Sequence, residues 1–214
     1  MESFLNSIRN DHHQFDSGKL EDHFDSNPND TIARWLREAI EKPANEPNAM
    51  SVSTVDSEGF PRSRIVYLKE LVEDGLIFYT NYSSFKGNSI EGNNKVHVLI
   101  FWPELERQIS ISGFAEKVPD EMNDLYFESR PYGSKIGAWA SHQSEILSSR
   151  QELEDRVNFY VDKFPLNVPR PPHWGGYLVK PTKIEFWQGR PSRLHDRIVY
   201  MKNEKNWKMT RLNP

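Results

Sequence analysis

Cationic side chains stand at regular spacing on strand-like segments of this sequence. In Arg64-Ile-Val-Tyr-Leu-Lys69, alternation along a strand places Arg64, Val66 and Leu68 on one face and the intervening residues on the other. Lys86 follows at the start of a short predicted helix, where backbone N–H groups already favour an anion. These residue types at this spacing predict the binding of a negatively charged ligand.

A second cluster of positive charge lies near the C-terminus. Arg193, His195 and Arg197 occupy alternate positions, so they share one face if the segment is extended. They follow directly on Ile184-Glu-Phe-Trp-Gln-Gly189, which brings bulky aromatic side chains close to the charges. Any one of these side chains is most simply interpreted as part of a solvated strand face. The set as a whole predicts a site for an aromatic ligand that carries phosphate.

The composition and the missing motifs exclude several other classes of site. The 27 basic and 31 acidic residues give a formal net charge of −4, which argues against a general nucleic-acid binder. The absence of cysteine excludes disulfides, thiolate metal sites and a cysteine nucleophile. The sequence contains no dinucleotide-binding glycine motif, no Walker loop and no zinc-protease motif, and its seven histidines lack the spacing of metal ligands. We therefore expect no metal site.

The sequence shows no pattern of a membrane-spanning or secretory segment. The longest apolar run, Val96 to Trp102, is interrupted by His97 and is too short to span a bilayer. The N-terminus lacks the basic and then apolar pattern of a signal peptide. We therefore expect a soluble protein in the cytoplasm, with no membrane partner.

Hydrophobic periodicity predicts the elements that must hold these residues in place. A helix with Asn29 or Asp30 as its cap and Pro43 as its stop is indicated by a stripe of Ile32, Trp35, Leu36, Ala39 and Ile40. Further helices are predicted at Ser84–Asn93, Pro119–Ser129 and Ser149–Phe164, the last with a stripe of Leu153, Val157, Tyr160, Val161 and Phe164. The predicted strands are Met50–Val55, Ser63–Lys69, Leu76–Asn81, Val96–Trp102, Arg107–Val118, Gly176–Val179, Ile184–Trp187, Ile198–Met201 and Trp207–Leu212.

The order of these elements favours an α+β fold built on an antiparallel barrel. The short strands follow one another as hairpins, and the helices are inserted between them rather than alternating with them. A Rossmann fold would need regular β-α-β spacing and a glycine-rich turn, and the sequence has neither. Residues 1–28 are predicted to be a polar N-terminal tail, and residues 29–214 a single domain.

Several strings in the sequence occur in the order and spacing of a known family. The longest is Ile184-Glu-Phe-Trp-Gln-Gly-Arg-Pro-Ser-Arg-Leu-His-Asp-Arg197. The others are Arg64–Lys69, Phe78–Asn81, Leu105–Gln108, Ser129–Pro131, Ser134–Trp139, His142–Ser144, Trp174–Gly176 and Arg211–Pro214. From about Thr31 to Pro214 the sequence thereby resembles the pyridoxine (pyridoxamine) 5′-phosphate oxidase family.

This resemblance implies a fold, a cofactor and a reaction. The fold is an FMN-binding split β-barrel, antiparallel and Greek-key-like, with peripheral helices. The protein would be a homodimer with FMN bound at the subunit interface. It would oxidise pyridoxamine or pyridoxine 5′-phosphate to pyridoxal 5′-phosphate, as part of vitamin B6 synthesis and salvage. Molecular oxygen would reoxidise the flavin, with release of hydrogen peroxide.

The resemblance also assigns roles to individual residues. Those on the FMN-binding positions of the family are Arg64, Ile65, Val66, Tyr67, Leu68, Lys69, Tyr79, Thr80, Lys86, Gln108, Gln143, Ser144, Trp187 and Arg197. Those on its substrate positions are Lys69, Tyr126, Arg130, Ser134, Arg193 and His195. Arg193 and His195 are the expected catalytic pair, which would orient the substrate ring and assist proton removal from the 4′ amine or hydroxyl.

Three departures from the family pattern qualify these expectations. Phe85 stands where the family commonly has arginine, so one contact to the FMN phosphate is missing unless Phe85 instead packs into the barrel wall. Glu46 replaces an aspartate near the active site. The N-terminal segment of the family can cover the substrate, but Arg9 and Phe15 match it poorly and we do not carry that lid over. The alternatives are a non-catalytic split barrel that binds FMN or pyridoxal phosphate, and another split-barrel flavin reductase.

Overall fold

The computed structural model describes residues 15–20, 24–42, 44–204 and 206–214, together with residues 6 and 9. Within these ranges, no helix is long and apolar enough to cross a membrane. The helices are α1 (Pro28–Glu41), α2 (Phe85–Gly92), α3 (Asp120–Ser129), α4 (Tyr132–Ala140) and α5 (Arg150–Lys163). The strands are β1 (Ala49–Val55), β2 (Pro61–Tyr67), β3 (Glu70–Val72), β4 (Gly75–Asn81), β5 (Lys95–Trp102), β6 (Arg107–Lys117), β7 (Trp174–Gln188), β8 (Asp196–Asn203) and β9 (Asn206–Leu212). Short 3₁₀ turns occur at Pro103–Leu105 and Pro191–Arg193.

The strands of the described ranges form one nine-stranded sheet. Its main path runs in the order β2-β1-β5-β6-β7-β4-β3, and β8 pairs with both β7 and β9. The pairs β1–β2, β3–β4, β4–β7, β7–β8 and β8–β9 are antiparallel. The predicted α+β class with an antiparallel sheet is therefore confirmed.

The described residues divide into two compact units. The first comprises the described residues up to Pro47 together with Leu99–Ile111 and Lys183–Pro214, and the second comprises Asn48–Val98 and Ser112–Thr182. The prediction of a polar tail at 1–28 and a single domain at 29–214 stays a prediction.

Each unit has its own aromatic core. In the first unit, the ring of Phe186 lies edge-on to Trp35 at 5.2 Å and to Tyr200 at 5.8 Å between ring centroids. In the second unit, Phe78 packs against Tyr177 at 5.8 Å. Burying side chains of this size removes a large apolar area from water, which is the main force that holds such a core together.

Helix α1 forms as its apolar stripe predicts, but its cap is different. The side chain of Asn27 accepts a hydrogen bond from the backbone N–H of Asn29, and Pro28 occupies the first turn. The predicted cap at Asn29 or Asp30 is wrong because Pro28 has no N–H to satisfy and a φ already suited to a helix start. The predicted stop, Pro43, lies outside the described residues.

The largest difference from the predicted elements concerns β7. The sequence predicts two strands, at Gly176–Val179 and Ile184–Trp187, separated by Pro181. The structure has one strand of 15 residues, whose first half pairs with β4 and whose second half pairs with β8. Proline removes one ladder donor, but different partners hold the strand on either side of it, so the chain stays extended.

Two short elements and one helix face also differ from the predictions. Strand β3 and helix α4 are absent from the predicted elements, since three residues are too few for a pattern and α4 contains two glycines. The predicted stripe on α5 does form a helix, but none of its residues is buried within this chain. The apolar spacing therefore predicted the helix correctly, but it did not predict which residues pack against the apolar face.

Candidate active site

A large cleft in the second unit is lined by β2, β4, the start of α2, helices α3 and α4, the segment that follows α4, and the first residue of β7. Its volume is about 1360 Å³. Among the described residues that line it there is no carboxylate, and the five cationic side chains are Arg62, Arg64, Lys69, Lys86 and Arg130. A cleft with this lining favours an anionic ligand of considerable size.

The cleft brings together most of the residues predicted to bind ligands. These are Arg64, Ile65, Val66, Tyr67, Lys69, Tyr79, Thr80, Lys86, Tyr126, Arg130, Ser134, Gln143 and Ser144. Leu68 is next to them in sequence, but its side chain is buried in the core and does not line the cleft. Residues far apart in sequence are thus assembled by pairing of β2 and β4 into the sheet and by packing of the helices.

Lys86 is the most buried cation of the cleft, with 7% of its surface exposed. Its Nζ donates to Thr80 Oγ1 at 2.7 Å, to Gln143 Oε1 at 2.7 Å and to Ser84 Oγ at 3.1 Å. Burial, and then the nearby charge of Arg64, lower the pKa of Lys86 to about 8. No carboxylate compensates this charge in the cleft lining, so a bound anion would stabilise it.

Arg64 and Ser144 lie at the same part of the cleft. Arg64 Nη1 donates to the carbonyl oxygen of Val52 at 3.1 Å and to Thr54 Oγ1 at 2.9 Å, which aims the guanidinium from β2. Burial, and then the charge of Arg62, lower the pKa of Arg64. Ser144, with a left-handed φ of 77°, accepts a hydrogen bond through Oγ from the first backbone N–H of α2. Cations and a helix N-terminus thus converge as a phosphate group requires.

Three aromatic rings form a stacked wall of the cleft. Tyr79 stacks on Tyr126 with ring centroids 4.0 Å apart and on Trp174 at 5.3 Å. The hydroxyl of Tyr79 donates to Glu70 at 3.1 Å, and burial followed by the charge of Glu70 raises the pKa of Tyr79. The ring therefore stays neutral at physiological pH and presents an apolar surface to a ligand.

Arg130 lies over the end of this wall. Its guanidinium carbon is 4.7 Å from the ring centroid of Trp174, a cation–π contact that fixes its direction. Its Nη1 is buried and has no hydrogen-bond partner among the described residues. Burial lowers the pKa of Arg130. A buried, unpartnered arginine nitrogen is costly, and a phosphate oxygen would satisfy it.

Phe85 does not pack into the barrel wall. Its side chain lines the cleft and is 59% exposed, so the packing interpretation of this departure from the family pattern is wrong. Its backbone N–H is the donor to Ser144. An arginine at this position would therefore not be buried, and the side chain stands at the rim of the cleft.

A second group of predicted residues lies in the first unit, around the turn between β7 and β8. The rings of His195 and Trp187 are 4.6 Å apart between centroids. Phe15 stands edge-on to both, at 5.3 Å from His195 and 5.7 Å from Trp187. The backbone N–H of Arg190 donates to His195 Nδ1 at 3.1 Å. Burial, and then the charge of Arg193, lower the pKa of His195.

The predicted arrangement of Arg193, His195 and Arg197 on one strand face is wrong. Arg193 ends a 3₁₀ turn, and both it and Ser192 have left-handed backbones, with φ of 62° and 57°. His195 follows in the turn, and only Arg197 lies within β8. The segment turns because Pro191 favours the start of a 3₁₀ turn, and strand pairing resumes at Asp196.

Arg197 is held by a carboxylate that the sequence analysis did not identify. Its Nε and Nη2 donate to the two oxygens of Glu185 at 2.8 and 3.0 Å, a bidentate pair across β7 and β8. The hydrogen bonds to Glu185 raise the pKa of Arg197. Trp187 faces Arg197 directly in the strand register. The sequence signal for the pair of Arg197 and Glu185 was that Glu185 and Trp187 occupy alternate positions of β7 and therefore share a strand face.

The remaining predicted residue of the first unit, Gln108, is half-buried on β6. The site residues are therefore divided between the units, with Gln108, Trp187, Arg193, His195 and Arg197 in the first. Sequence reasoning missed Arg62 and Trp174 as cleft residues. Arg62 shares a strand face with Arg64, which was the signal for it. In the described part of the chain, no cluster of three or more His, Asp or Glu could hold a metal ion.

Comparison with known proteins identifies relatives over nearly the full length. Residues 36–159 match the family model described as pyridoxamine 5′-phosphate oxidase, and residues 174–214 match the pyridoxine 5′-phosphate oxidase C-terminal dimerisation region. A pyridoxine/pyridoxamine 5′-phosphate oxidase of Haemophilus influenzae is 54% identical over 188 residues, 88% of this chain and 90% of that protein. One of Haemophilus ducreyi is 53% identical over 210 residues, 98% of this chain and 99% of that protein.

Solved structures agree with these sequence matches. PhzG from Burkholderia lata, solved with tetrahydrophenazine-1-carboxylic acid, superposes with a TM-score of 0.86 and 31% identity, covering 92% of this chain and 100% of that one. A pyridoxamine 5′-phosphate oxidase-related, FMN-binding protein of Nostoc punctiforme has the same fold, with a TM-score of 0.69 and 16% identity over 86% of this chain and 96% of its own. The predicted split-barrel fold is confirmed. With a family model spanning more than half of its length and relatives more than half identical, the chain belongs to the pyridoxamine 5′-phosphate oxidase family.

Proposed function

We propose that this chain is an FMN-dependent oxidase that converts pyridoxamine or pyridoxine 5′-phosphate into pyridoxal 5′-phosphate. The amine, O₂ and water yield the aldehyde, ammonia and hydrogen peroxide, whereas the alcohol and O₂ yield the aldehyde and hydrogen peroxide. The observation that carries the proposal is that one aromatic-walled cleft is lined by cationic donors, which we group into two sets, Lys86 with Arg64 and Lys69 with Arg130. A phosphorylated cofactor and a phosphorylated substrate account for both sets.

The residues present fit FMN. Lys86 is buried among three acceptor oxygens with its pKa lowered to about 8, and a phosphate dianion beside it would offset the cost of burying the charge. The guanidinium of Arg64 and the hydroxyl of Ser144 supply further donors. Bound FMN supplies the acceptor for the hydride that leaves the 4′ carbon of the substrate. The protein's contribution is therefore to hold two rings and two phosphates in one geometry.

We assign the substrate phosphate to the second set of donors in the cleft. Lys69 and Arg130 carry charge, and Tyr126 and Ser134 carry hydroxyls that can donate. The buried, unpartnered Nη1 of Arg130 supports this assignment. The wall of Tyr79, Tyr126 and Trp174 offers apolar surface that excludes water from one side of a bound ring.

His195 orients the substrate as a hydrogen-bond donor. Its Nδ1 accepts from the backbone N–H of Arg190, so the neutral ring carries its proton on Nε2. Burial lowers its pKa, which keeps the ring neutral at physiological pH. In this state neither ring nitrogen is free to take a proton, and Nε2–H can donate to the 4′ substituent. The adjacent guanidinium of Arg193 favours the deprotonated, reactive form of the substrate amine.

The active form is proposed to be a homodimer with FMN bound where two subunits meet. The match to the family's dimerisation region covers residues 174–214 and supports the homodimer. That region contains Trp187, Arg193, His195 and Arg197. A dimer brings a second copy of these side chains to the assembly.

The visible spectrum of the purified protein tests this function. We expect flavin absorption, bleaching on anaerobic addition of pyridoxamine 5′-phosphate, and recovery with hydrogen peroxide release when air is admitted. The control is pyridoxamine without its phosphate, which should bleach the flavin far more slowly because Lys69 and Arg130 would have no partner. Flavin that binds but is not bleached by either phosphorylated substrate would contradict the proposal and favour a non-catalytic binding protein.

A further inference from the structure

The rim of the cleft holds a cation that the family resemblance did not identify. Arg62 lies on β2 two residues before Arg64, so strand alternation places both side chains on the same face. Its guanidinium carbon is 5.8 Å from the ring centroid of Phe85, at the start of α2. Phe85 is the position where the family pattern has an arginine. A positive charge is therefore present beside the place where the sequence alone indicates that one is missing.

Two contacts hold this guanidinium in place. Arg62 Nε donates to Asp56 Oδ2 at 2.6 Å, and the other carboxylate oxygen of Asp56 accepts from the backbone N–H groups of Glu58 and Phe60. The hydrogen bond from Arg62 is the main reason that the pKa of Asp56 is lowered. The ring of Phe85 contacts the guanidinium from a second direction and so restricts its movement. The arginine is thus directed along the rim while its side chain remains 52% exposed.

Arg62 also belongs electrostatically to the cations of the cleft. The charge of Arg62 contributes to the lowered pKa of Arg64, and the charge of Arg64 contributes to that of Lys86. Arg62, Arg64 and Lys86 therefore repel one another; Asp56 pairs with Arg62 from outside the described lining, and that lining itself holds no carboxylate. Such an arrangement is stabilised when an anion with more than one negative charge binds beside it.

We propose that Arg62 is a cofactor-phosphate ligand of this protein, held against Phe85 and taking the place of a cation at position 85. The proposal rests on the proposed function, because it requires FMN in the cleft. It makes Phe85 the platform for the arginine from the neighbouring strand. The pair Arg62 and Phe85 then delivers from β2 the charge that an arginine at position 85 would deliver from α2.

The test is titration of apoprotein with FMN and with riboflavin, followed by flavin fluorescence. Arg62→Gln should weaken FMN binding about tenfold, at the lower end of what a charge-assisted hydrogen bond contributes because the site is open to water. Riboflavin, which lacks the phosphate, should bind both proteins equally. Arg62→Lys, which keeps the charge, should lose less affinity than Arg62→Gln.

A control variant at another arginine, and a variant that moves the positive charge from position 62 to position 85, complete the test. Arg34 on α1 is a comparably exposed arginine and pairs with Asp25, which precedes that helix. Arg34→Gln should leave FMN affinity unchanged. Adding Phe85→Arg to Arg62→Gln should restore affinity for FMN, since the cation is moved to the adjacent position. In the wild-type background, Phe85→Arg should change FMN affinity much less, because Arg62 already occupies the rim.

Each other outcome has a distinct meaning. An Arg62→Gln protein that keeps its melting temperature and its FMN affinity would overturn the proposal. Equal weakening of FMN and riboflavin would also overturn it, because the contact would then not be to phosphate. A raised KM for pyridoxamine 5′-phosphate at unchanged FMN affinity would assign Arg62 to the substrate phosphate instead. If the wild-type apoprotein bound no flavin at all, the proposed function itself would fail.

Discussion

At the scale of single residues, Lys86 combines a charged ammonium group with an almost fully buried position. Its pKa is lowered from 10.5 to about 8, mainly by burial. The cost of burying the charge is therefore present below about pH 8. That cost disappears as the pH rises from 8 towards 10.5, because the folded chain releases the proton before the unfolded chain does. The residue that weakens the apoprotein at neutral pH is thus one to which we assign the FMN phosphate.

This titration predicts a pH dependence of cofactor binding. FMN affinity of the apoprotein should fall as the pH rises through about 8, because the phosphate is already a dianion above pH 7 and Lys86 is the group that loses its charge. Lys86→Met should weaken binding at pH 7 by about tenfold or more and remove this pH dependence. Fluorescence titrations between pH 6.5 and 9.5 measure both effects.

The control for this prediction is Lys180→Met. Lys180 forms an ion pair with Glu116 outside the cleft at 2.5 Å, and its replacement should leave the affinity and its pH dependence as in the wild type. A Lys86→Met protein that retains the wild-type pH dependence would show that another group titrates in the binding equilibrium.

Arg193 is predicted to act on the substrate rather than on the cofactor. Arg193→Ala should lower kcat/KM by about tenfold to a hundredfold through loss of substrate orientation, while the protein retains stoichiometric FMN. Steady-state kinetics and the flavin-to-protein absorbance ratio of the same preparation measure the two effects. Loss of FMN together with activity would instead move Arg193 into the cofactor site.

At the scale of the elements, the backbones of β6 and β7 lie very close together where β6 has Gly113 and β7 has Pro181. Gly113 lies on β6 opposite the backbone of Lys180 and Pro181, and a Cβ at Gly113 would overlap the carbonyl oxygen of Lys180. A backbone atom cannot move aside as a flexible side chain can. The glycine therefore allows the two strands to pair at the point where proline interrupts the ladder.

The predicted effect of filling this space is a large loss of stability. Gly113→Ala should lower the free energy of unfolding by about 2 kcal/mol or more, since the strands must separate to admit the methyl group. Gly133→Ala is the matched control: on α4 nothing lies within 4 Å of the added Cβ, and it should stabilise the protein by about 0.5–1 kcal/mol. Urea denaturation of both variants measures the difference. Equal stability of the two variants would show that β7 tolerates displacement at Pro181.

At the scale of the whole molecule, several large apolar side chains remain exposed in the single chain. Ile65 is 65% exposed and Tyr67 42% exposed on β2, and Leu194 is 68% exposed in the turn that carries Arg193 and His195. Scattered exposed side chains are ordinary, but these lie within the predicted binding segments. A homodimer that covers them would bury apolar area and site residues together.

The protein is therefore predicted to be an obligate dimer whose flavin site needs both chains. Sedimentation equilibrium across a range of concentrations should show FMN absorbance only in the dimeric species, and dilution below the dimer dissociation constant should release the flavin. A monomer that binds FMN stoichiometrically and turns over would contradict this prediction.

The sequence by itself determined the features that depend on neighbouring residues. The apolar spacing of α1, the alternation of β1 and β2 and the caps of α2 at Ser84 and Asn93 follow from local periodicity and from side-chain hydrogen bonds over a few positions. The long string from Ile184 to Arg197 also allowed the family and its cofactor to be predicted from the sequence alone. The error in these local predictions was small at α1, where the predicted cap lies two or three residues after the observed cap, Asn27.

The tertiary structure alone decided which distant residues meet. Pairing with β4 and β8 on either side of Pro181 made β7 one strand, although the proline locally favours a break. The left-handed turn at Ser192 and Arg193 removed Arg193 from the face of Arg197, whose partner became Glu185. Strand register and helix packing depend on contacts between segments far apart in the chain, which no local pattern contains. That is the physical reason why Arg64, Lys69, Lys86 and Arg130 could be named from the sequence, whereas the cleft that brings them together required the fold.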